Sequence, residues 1–260
     1  MVRMAVLSVV VAGAAWAVEP TQSSRTAGET KEGVVDPKAD AVLRRMSDYV
    51  AGLKSVRLTT NAVDEKFTRE GQKIQEVNQS KVTMQRPGDL RVERISPKGH
   101  TIFVDDGQKF TVYNKEKNVY ATAPAPADID AAIDNAEERL QISAPGGDLL
   151  VSDPYNALIE GTVTGRYIGL EPIDGQMAHH LAFTRNDLDW QLWVKDGNEA
   201  VPLRYVITSK DLPGHPQFTL EIRDWQGNAN VSAEDFKVTV PQGAKKVAFA
   251  PPQQQKGERP

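Results

Sequence analysis

The sequence predicts an α+β fold in which one curved antiparallel β-sheet, an unclosed half-barrel, carries helices across its concave face. An amphipathic helical segment comes first, and a long run of alternating strands, two more helices and a second run of strands follow. Helices and strands that are segregated in this way are typical of α+β domains. The clearest single element is a hairpin over residues 189–209, because two arms rich in aromatic and branched residues flank Asp196-Gly197.

The amino-terminal segment has the pattern of an export signal. Arg3 precedes an apolar stretch that ends in Ala15-Trp16-Ala17, the small-x-small pattern of a cleavage site. We therefore predict a signal peptide over residues 1–17, cleavage after Ala17 and a periplasmic location. The apolar stretch is shorter than the about 20 residues of a membrane-spanning helix, so no transmembrane segment is expected.

The predicted folded domain spans residues 36–249, between a polar, flexible leader (18–35) and a disordered tail (250–260). Asp36-Pro37 begins the first helix, because Asp caps free amides and Pro suits the first helical position. An apolar stripe at helical spacing follows, and Gly52 ends the helix.

An antiparallel meander is predicted over residues 55–123, where apolar and polar residues alternate between turn sequences. A charged stretch between Thr60 and Val77 is expected to interrupt it. A second helix begins at Asp128, and a third covers residues 155–160. The second run of strands is predicted at 163–171, 176–184, the hairpin over 189–209, and 217–225, and a capped turn at 232–236 leads to a segment at 238–240.

Composition and charge exclude several classes of protein. The chain has 260 residues, of which 40% are hydrophobic and 25% charged, so it can bury a large core. A net charge of −4 provides no basic excess for nucleic acid. The absence of cysteine excludes disulfides and an amino-terminal lipid anchor. We expect a free periplasmic protein that is monomeric.

Alternation along the strands assigns a set of apolar side chains to the concave face, under the apolar stripes of the helices. They form either a filled core or a pocket for an acyl chain, and the sequence leaves both open because alternation shows no volume. A pocket would favour lipid binding by about 0.8 kcal/mol per buried methylene. The candidate ligand-binding residues are Leu43, Met46, Ile129, Ile133, Leu181, Phe183, Trp190, Leu192, Leu203, Tyr205, Phe218, Leu220 and Ile222.

No catalytic residue, metal ligand or cofactor is predicted, and we expect that the protein is not an enzyme. His179 and His180 are adjacent in a predicted strand, so their side chains point to opposite faces. The sequence contains no Gly-x-Ser-x-Gly elbow, His-Glu-x-x-His motif or phosphate loop. A hydrolase or metal protein that uses histidines and aspartates remains a third hypothesis.

Several short motifs together resemble a known family. They are Asp36-Pro37-Lys38-Ala39-Asp40 before a helix, Arg86-Pro87-Gly88-Asp89-Leu90-Arg91, Asp106-Gly107-Gln108 before Phe110-Thr111-Val112-Tyr113, and Trp193 with Pro202-Leu203-Arg204. They resemble a family of predicted periplasmic proteins, domain of unknown function 2092, which is similar to the Lol-type lipoprotein carriers. The resemblance implies an unclosed β-barrel with helices at its mouth and an apolar interior that accepts acyl chains.

Two functional hypotheses lead. In the first, the protein is a soluble periplasmic carrier or envelope sensor that holds a lipid or a lipoprotein acyl chain between sheet and helices. Its expected process is outer-membrane biogenesis. In the second, the core is filled and the protein binds an envelope protein partner through an exposed surface. Trp193 and Trp225 are candidates for that surface, because alternation places them opposite the inner stripe.

Overall fold

The computed structural model describes residues 34–126, 128–138 and 146–249. The predicted signal peptide, most of the predicted leader and the predicted tail lie outside the described residues, so those boundaries stay predictions.

Within the described residues, helix α1 (Pro37–Ala51) comes first, and α2 (Ile129–Glu138) and α3 (Pro154–Ile159) separate the two runs of strands. Asp36 caps α1 as predicted, since its carboxylate accepts a hydrogen bond of 2.7 Å from the amide of Lys38. Short 3-10 helices lie at Gly147–Leu149 and Ala233–Phe236. The strands are β1 (Ser55–Phe67), β2 (Lys73–Gln85), β3 (Asp89–Ser96), β4 (Gly99–Asp105), β5 (Lys109–Asn114), β6 (Val119–Pro124), β7 (Thr164–Ile173), β8 (Gln176–Thr184), β9 (Leu188–Lys195), β10 (Pro202–Ser209), β11 (Gln217–Gly227) and β12 (Lys245–Lys246).

All twelve described strands form one sheet in the order β12-β6-β5-β4-β3-β2-β1-β11-β10-β9-β8-β7. Neighbouring strands are antiparallel, except that β12 pairs in parallel with β6. The sheet does not close, because β12 and β7 end it on opposite sides. Helix α1 packs against β7, β9 and α3. The predicted α+β fold with one unclosed antiparallel sheet is confirmed.

Most of the charged stretch between Thr60 and Val77 is strand, contrary to the expected interruption, and only residues 68–72 form a turn between β1 and β2. Strands β1 and β2 remain paired as far as Phe67 and Lys73. Lys66 forms ion pairs with Asp64 on its own strand and with Glu76 on β2. Pairs of opposite charge across neighbouring strands stabilise a sheet. A high content of charged residues is therefore compatible with strand in this part of the chain.

Both ends of the described domain contact the sheet, and the amino-terminal contact begins one residue earlier than predicted. Val35, the last residue of the predicted leader, forms a parallel bridge with Gly165, and the amide of Asp36 donates to the Gly165 carbonyl at 2.9 Å. Residues 238–240, which follow the capped turn, have no regular secondary structure. Phe236 packs against the side chains of Ile102, Val104 and Tyr113, which holds the carboxyl-terminal segment against the first half of the sheet.

The main core lies between α1 and the inward face of the sheet, as the inward alternation predicts. A second apolar cluster, formed by Ala178, Trp193, Val201, Leu203 and Val206, lies on the opposite face of the second half of the sheet. Leu203 and Tyr205, which alternation in the sequence assigns to the same face, therefore lie on opposite faces of the sheet.

The placement of Leu203 on the concave face is wrong. Pro202 pairs with Val194 and Arg204 with Trp193, so β10 has two residues where β9 has one. Such a β-bulge reverses the alternation of side chains. Leu203 therefore packs with Trp193 in the second cluster, whereas Tyr205, beyond the bulge, faces the main core.

Candidate ligand-binding cleft

A cleft of about 280 Å³ lies between the first half of the sheet and the residues of α2 and the following 3-10 helix. This volume is near the lower end of ordinary small-molecule sites, which start at about 300 Å³. The wall consists of inward side chains from β1, β2, β3 and β11. The residues that line the cleft are Leu58, Thr60, Ala62, Asp64, Lys66, Glu76, Asn78, Ser80, Val82, Met84, Leu90, Val92, Arg94, Ser96, Pro97, Lys98, Ile129, Ile133, Gly146, Gly147, Leu150, Phe218, Leu220, Ile222 and Trp225.

One end of the cleft is closed and apolar. Met84 is completely buried there, and Leu58, Val82 and Ile129 are also buried. Register explains the grouping, because Leu58 pairs with Val82 across the β1–β2 ladder and both belong to the inward set. The side chains named at this end are therefore hydrocarbon, apart from the sulfur of Met84.

Two glycines allow the cover of the cleft to lie close to its wall. A Cβ on Gly147 would lie 3.1 Å from Ile133 Cγ2, and a Cβ on Gly146 would lie 2.5 Å from Leu220 Cδ2. Gly146 also has a φ of 88°, a conformation that residues with a side chain rarely adopt. The backbone at Gly146-Gly147 thus fits between α2 and β11.

Hydrogen bonds fix the position of α2 over the sheet. The amide of Ile129 donates to the Pro87 carbonyl in the β2–β3 turn at 2.8 Å. Asp130 accepts a hydrogen bond from the amide of Ser152 at 2.8 Å, which links α2 to the segment before α3. The cover is therefore attached both to the sheet and to the chain that follows it.

The other end of the cleft is charged and open to solvent. Lys66 donates a hydrogen bond to Glu76 and lies 3.4 Å from Asp64, and all three side chains are about one-third exposed. The hydrogen bond from Lys66 is the main cause that lowers the pKa of the Glu76 carboxyl, and the charge of Lys98 acts in the same direction. We call this end, lined by Asp64, Lys66, Glu76, Arg94 and Lys98, the mouth.

The predicted site residues divide between the cleft and the filled core. Five of them line the cleft: Ile129, Ile133, Phe218, Leu220 and Ile222. Seven others pack in the main core instead, without lining the cleft: Leu43, Met46, Leu181, Phe183, Trp190, Leu192 and Tyr205. Leu203 faces the opposite side of the sheet.

Aromatic packing fills the space beneath the central hairpin. The rings of Phe183 and Trp190 stack with their centres 4.0 Å apart, and Tyr205 meets Trp190 edge-on at 6.0 Å. The Tyr205 hydroxyl donates to Asp148 at 3.0 Å, and burial raises the pKa of that phenol well above its ordinary value. This half of the concave face is a packed core.

Sequence reasoning missed much of the wall on β1, β2 and β3. A signal was present, since residues 56–62 and 80–84 alternate as regularly as the hairpin does. Thr60, Ala62 and Ser80 are small inward residues, so space remains beside them. In the other half of the sheet, the large aromatic side chains of the hairpin fill the corresponding space. The size of the inward residues, besides their apolarity, distinguishes the two halves.

Neither tryptophan proposed for a protein-binding surface is available for that role. Trp193 does lie on the face opposite Leu192, but it is only 7% exposed. Its ring stacks on His180 with centres 4.0 Å apart, and its indole N–H donates to Glu171 at 2.8 Å. Arg57 of β1 pairs with Gln226 of β11, and Thr59 pairs with Arg223, so β11 has one extra residue between these pairs. Trp225 lies in this bulge and lines the cleft.

The histidines are involved in separate contacts. His179 lies 3.0 Å from the Tyr167 hydroxyl and 3.0 Å from Asp196, whereas His180 lies 3.0 Å from Glu171. The residues that the structure describes contain no group of three or more His, Cys, Asp or Glu side chains arranged to hold a metal. Among the same residues no helix combines the length and the apolarity needed to cross a bilayer.

Comparison with solved structures supports the fold. Mycobacterium tuberculosis lipoprotein LppX is 15% identical, with 76% of this chain and 99% of that chain covered and a TM-score of 0.50. An uncharacterized conserved protein from Thermus thermophilus is 15% identical over 81% and 99% of the two chains, with a TM-score of 0.48. The LolA superfamily protein NE2245 from Nitrosomonas europaea is 12% identical over 77% and 97%, with a TM-score of 0.40. The similarity to LppX supports the assignment of the fold and says nothing about function.

The sequence itself gives the family. None of the curated proteins matches the chain significantly. The sequence model of the family described as "Predicted periplasmic protein (DUF2092)" matches residues 39–250, which include almost the whole described domain. The chain belongs to the DUF2092 family of predicted periplasmic proteins.

Proposed function

We propose that the protein binds a lipid, or the acyl chain of a lipoprotein, in the cleft and performs no chemistry on it. The observation that carries the proposal is a preformed cleft with a closed, carbon-lined end and an open, charged mouth. Each methylene buried at the closed end contributes about 0.8 kcal/mol, which is about a fourfold gain in affinity. The protein then acts as a carrier or a sensor of lipid.

The periplasm is the proposed place of action. The family is described as one of predicted periplasmic proteins, and residues 1–17 have the features of a cleaved export signal. A water-filled compartment gives a reason for the cleft, because an acyl chain in water is stabilised by transfer to a carbon-lined site. Cleavage after Ala17 would leave Val18 as the first residue of the mature protein.

The test is native mass spectrometry of the mature protein purified from a periplasmic extract, followed by organic extraction and lipid analysis. We expect a bound acyl species in a fixed ratio to the protein, and a protein mass that begins at Val18. A sample stripped of lipid by unfolding and refolding in detergent-free buffer is the control. A lipid-free native mass, together with no uptake of a fluorescent fatty acid by the stripped sample, would contradict the proposal.

A protein partner is the second candidate, and it is favoured by the exposed edge of the sheet. Strand β7 ends the described sheet, and its Ile168 and Leu170 are about half exposed. Met177 on the neighbouring strand β8 is exposed as well. An exposed edge strand with apolar side chains can accept another strand from a partner. Crosslinking at Leu170 in the periplasm would identify such an envelope protein.

A further inference from the structure

We infer that Thr60 and Ser80 bind the carbonyl group of an acyl ester or acyl amide, so that the cleft selects an uncharged lipid over the carboxylate of a free fatty acid. The inference rests on the proposed lipid-binding function and adds the chemical class of the ligand and the residues that recognise it. It is based on the order of the inward cross-strand pairs along β1 and β2.

These inward pairs change from carbon to uncharged polar groups and then to charges. In order from the closed end, the pairs that line the cleft are Leu58–Val82, Thr60–Ser80, Ala62–Asn78 and Asp64–Glu76. Successive pairs are separated by about 7 Å, which is two residues of antiparallel strand. Thr60, Asn78 and Ser80 therefore lie between the apolar end and the mouth, and we call them the polar zone.

The side chains of the polar zone are available to a ligand. All three are half-buried and line the cleft. None of them forms a side-chain hydrogen bond with another residue that the structure describes. A polar group that an occupant covers costs free energy unless it keeps a hydrogen-bond partner. A lipid that reaches from the closed end to the mouth must therefore offer a hydrogen-bonding group in this zone.

The depth of the polar zone suits the group that joins an acyl tail to its head. Met84 lies at the closed end and is completely buried, and Ser80 is four residues away on the same strand. Four residues of antiparallel strand span about 14 Å. A tail that occupies this length places its carbonyl beside Thr60 and Ser80. Both hydroxyl groups can donate a hydrogen bond to that oxygen.

The charges beyond the polar zone disfavour a ligand carboxylate. Asp64 and Glu76 form the next inward pair, so a carboxylate in the polar zone would lie near two others. The charges of Lys66 and Lys98 balance this pair, and Arg94 has an interaction partner within the protein. The mouth therefore offers an anion no excess positive charge to offset repulsion and lost hydration. An uncharged carbonyl avoids both costs.

An ester and an amide both provide such a carbonyl. The first would come from a glycerolipid and the second from an N-acylated protein. The experiment compares four probes of equal chain length: lauroylglycerol, lauroylethanolamine, the dodecyl ether of glycerol, and lauric acid. The ether keeps the glycerol hydroxyls of the ester and lacks only its carbonyl. The dissociation constant of each probe is measured at neutral pH by displacement of a fluorescent fatty acid from the stripped protein.

We expect the wild-type protein to bind the ester and the amide about fivefold more tightly than the ether, the effect of about one net hydrogen bond. Lauric acid should also bind more weakly than the ester. The combined substitution of Thr60→Val and Ser80→Ala should remove the preference for the ester over the ether. Thr83→Val is the matched control, because Thr83 lies on β2 but on the opposite face and outside the cleft.

Asn78→Ala gives a second readout. Asn78 lies one pair closer to the mouth, where the glycerol hydroxyls of a bound probe would be. Its substitution should weaken the ester and the ether by the same factor and leave their ratio unchanged. A loss of the ratio in Asn78→Ala, with the ratio intact in the combined Thr60→Val and Ser80→Ala protein, would contradict the assigned position of the carbonyl.

The possible outcomes separate this inference from the proposed function. A preference for one or both carbonyl probes that the combined substitution removes supports the inference, and the preferred probe identifies the source. Equal binding of ester and ether, a preference that the combined substitution leaves unchanged, or tighter binding of lauric acid would overturn the inference and leave lipid binding intact. Binding of none of the probes by a folded wild-type protein would overturn both. If the combined variant does not fold, Ser80→Ala alone still decides.

Discussion

Substitution of Ala62 by phenylalanine would test whether the cleft is the binding site. Ala62 lies on β1 between Asn78 of β2 and Leu220 of β11, and its methyl group contributes to the lining. A phenyl ring in this place occupies space that a ligand chain would use. If it displaces about three methylenes, the binding free energy falls by about 2.4 kcal/mol, which is about a 60-fold loss of affinity.

The assay is titration of stripped Ala62→Phe protein with a fluorescent fatty acid, alongside thermal unfolding followed by circular dichroism. Asn61→Phe provides the control, since residue 61 is next in the same strand and points to the other face. We expect Asn61→Phe to bind as the wild type does. Wild-type affinity in a folded Ala62→Phe protein would refute the assignment of the cleft, as would an equal loss in Asn61→Phe.

The other predictions concern the core, a buried acid and the cover of the cleft. Leu192→Ala should lower the free energy of unfolding by about 2–5 kcal/mol, because Leu192 is fully buried in the packed core, while the folded fraction keeps its ligand affinity. Asp105→Asn should raise the melting temperature at neutral pH, because the Asp105 carboxyl is buried and burial raises its pKa. Gly146→Ala should lower the free energy of unfolding by at least about 1 kcal/mol, since its positive φ and the nearby Leu220 methyl disfavour a side chain.

The sign of the Asp105 effect follows from proton linkage. The folded protein holds the Asp105 proton more tightly than the unfolded chain does, so stability falls as the pH rises from about 4 through the raised pKa. Asparagine removes this loss and still accepts the hydrogen bond that the Gly107 amide donates at 2.9 Å. Thermal unfolding at neutral pH and below about pH 4 measures the difference. If Asp105→Asn raised the melting temperature equally at both pH values, the charge of Asp105 would not be the cause of the increase.

Urea unfolding together with ligand titration tests the other two substitutions. Loss of binding in folded Leu192→Ala would mean that the ligand site extends beneath the central hairpin. An unchanged free energy of unfolding for Gly146→Ala would mean that the cover of the cleft does not need the close approach at this position. Ala136→Gly and Gly175→Ala, at positions away from the lining of the cleft, provide comparisons for the backbone effect of such changes.

Local signals predicted the elements of this fold well, because each depends on neighbouring residues. Asp36-Pro37 caps and begins α1, and Asp196-Gly197 reverses the chain between β9 and β10. Alternation also identified the inward residues of β8 and β9. It failed at Leu203, where a bulge inserts one residue, since no local feature of the sequence announces that insertion.

The location of the cleft depends on what covers each half of the sheet, which alternation does not encode. Leu43 and Met46 of α1 complete a core that the hairpin aromatics fill. In the other half, Ile129 and Ile133 of α2 face smaller inward residues such as Ala62, and space remains. Volume results from pairing distant segments, so the sequence showed which face was apolar and left open whether it was filled.

Photocrosslinking with a diazirine-labelled fatty acid tests the central claim most directly, because it maps where the chain lies. The stripped protein is loaded with the probe, irradiated and digested, and the labelled peptides are identified by mass spectrometry. We expect labels on peptides from β1, β2, β3 and β11 that include lining residues such as Val82 and Leu220. Labels concentrated on β8, β9 and β10, or no labelling above that of unfolded protein, would contradict a lipid site in this cleft.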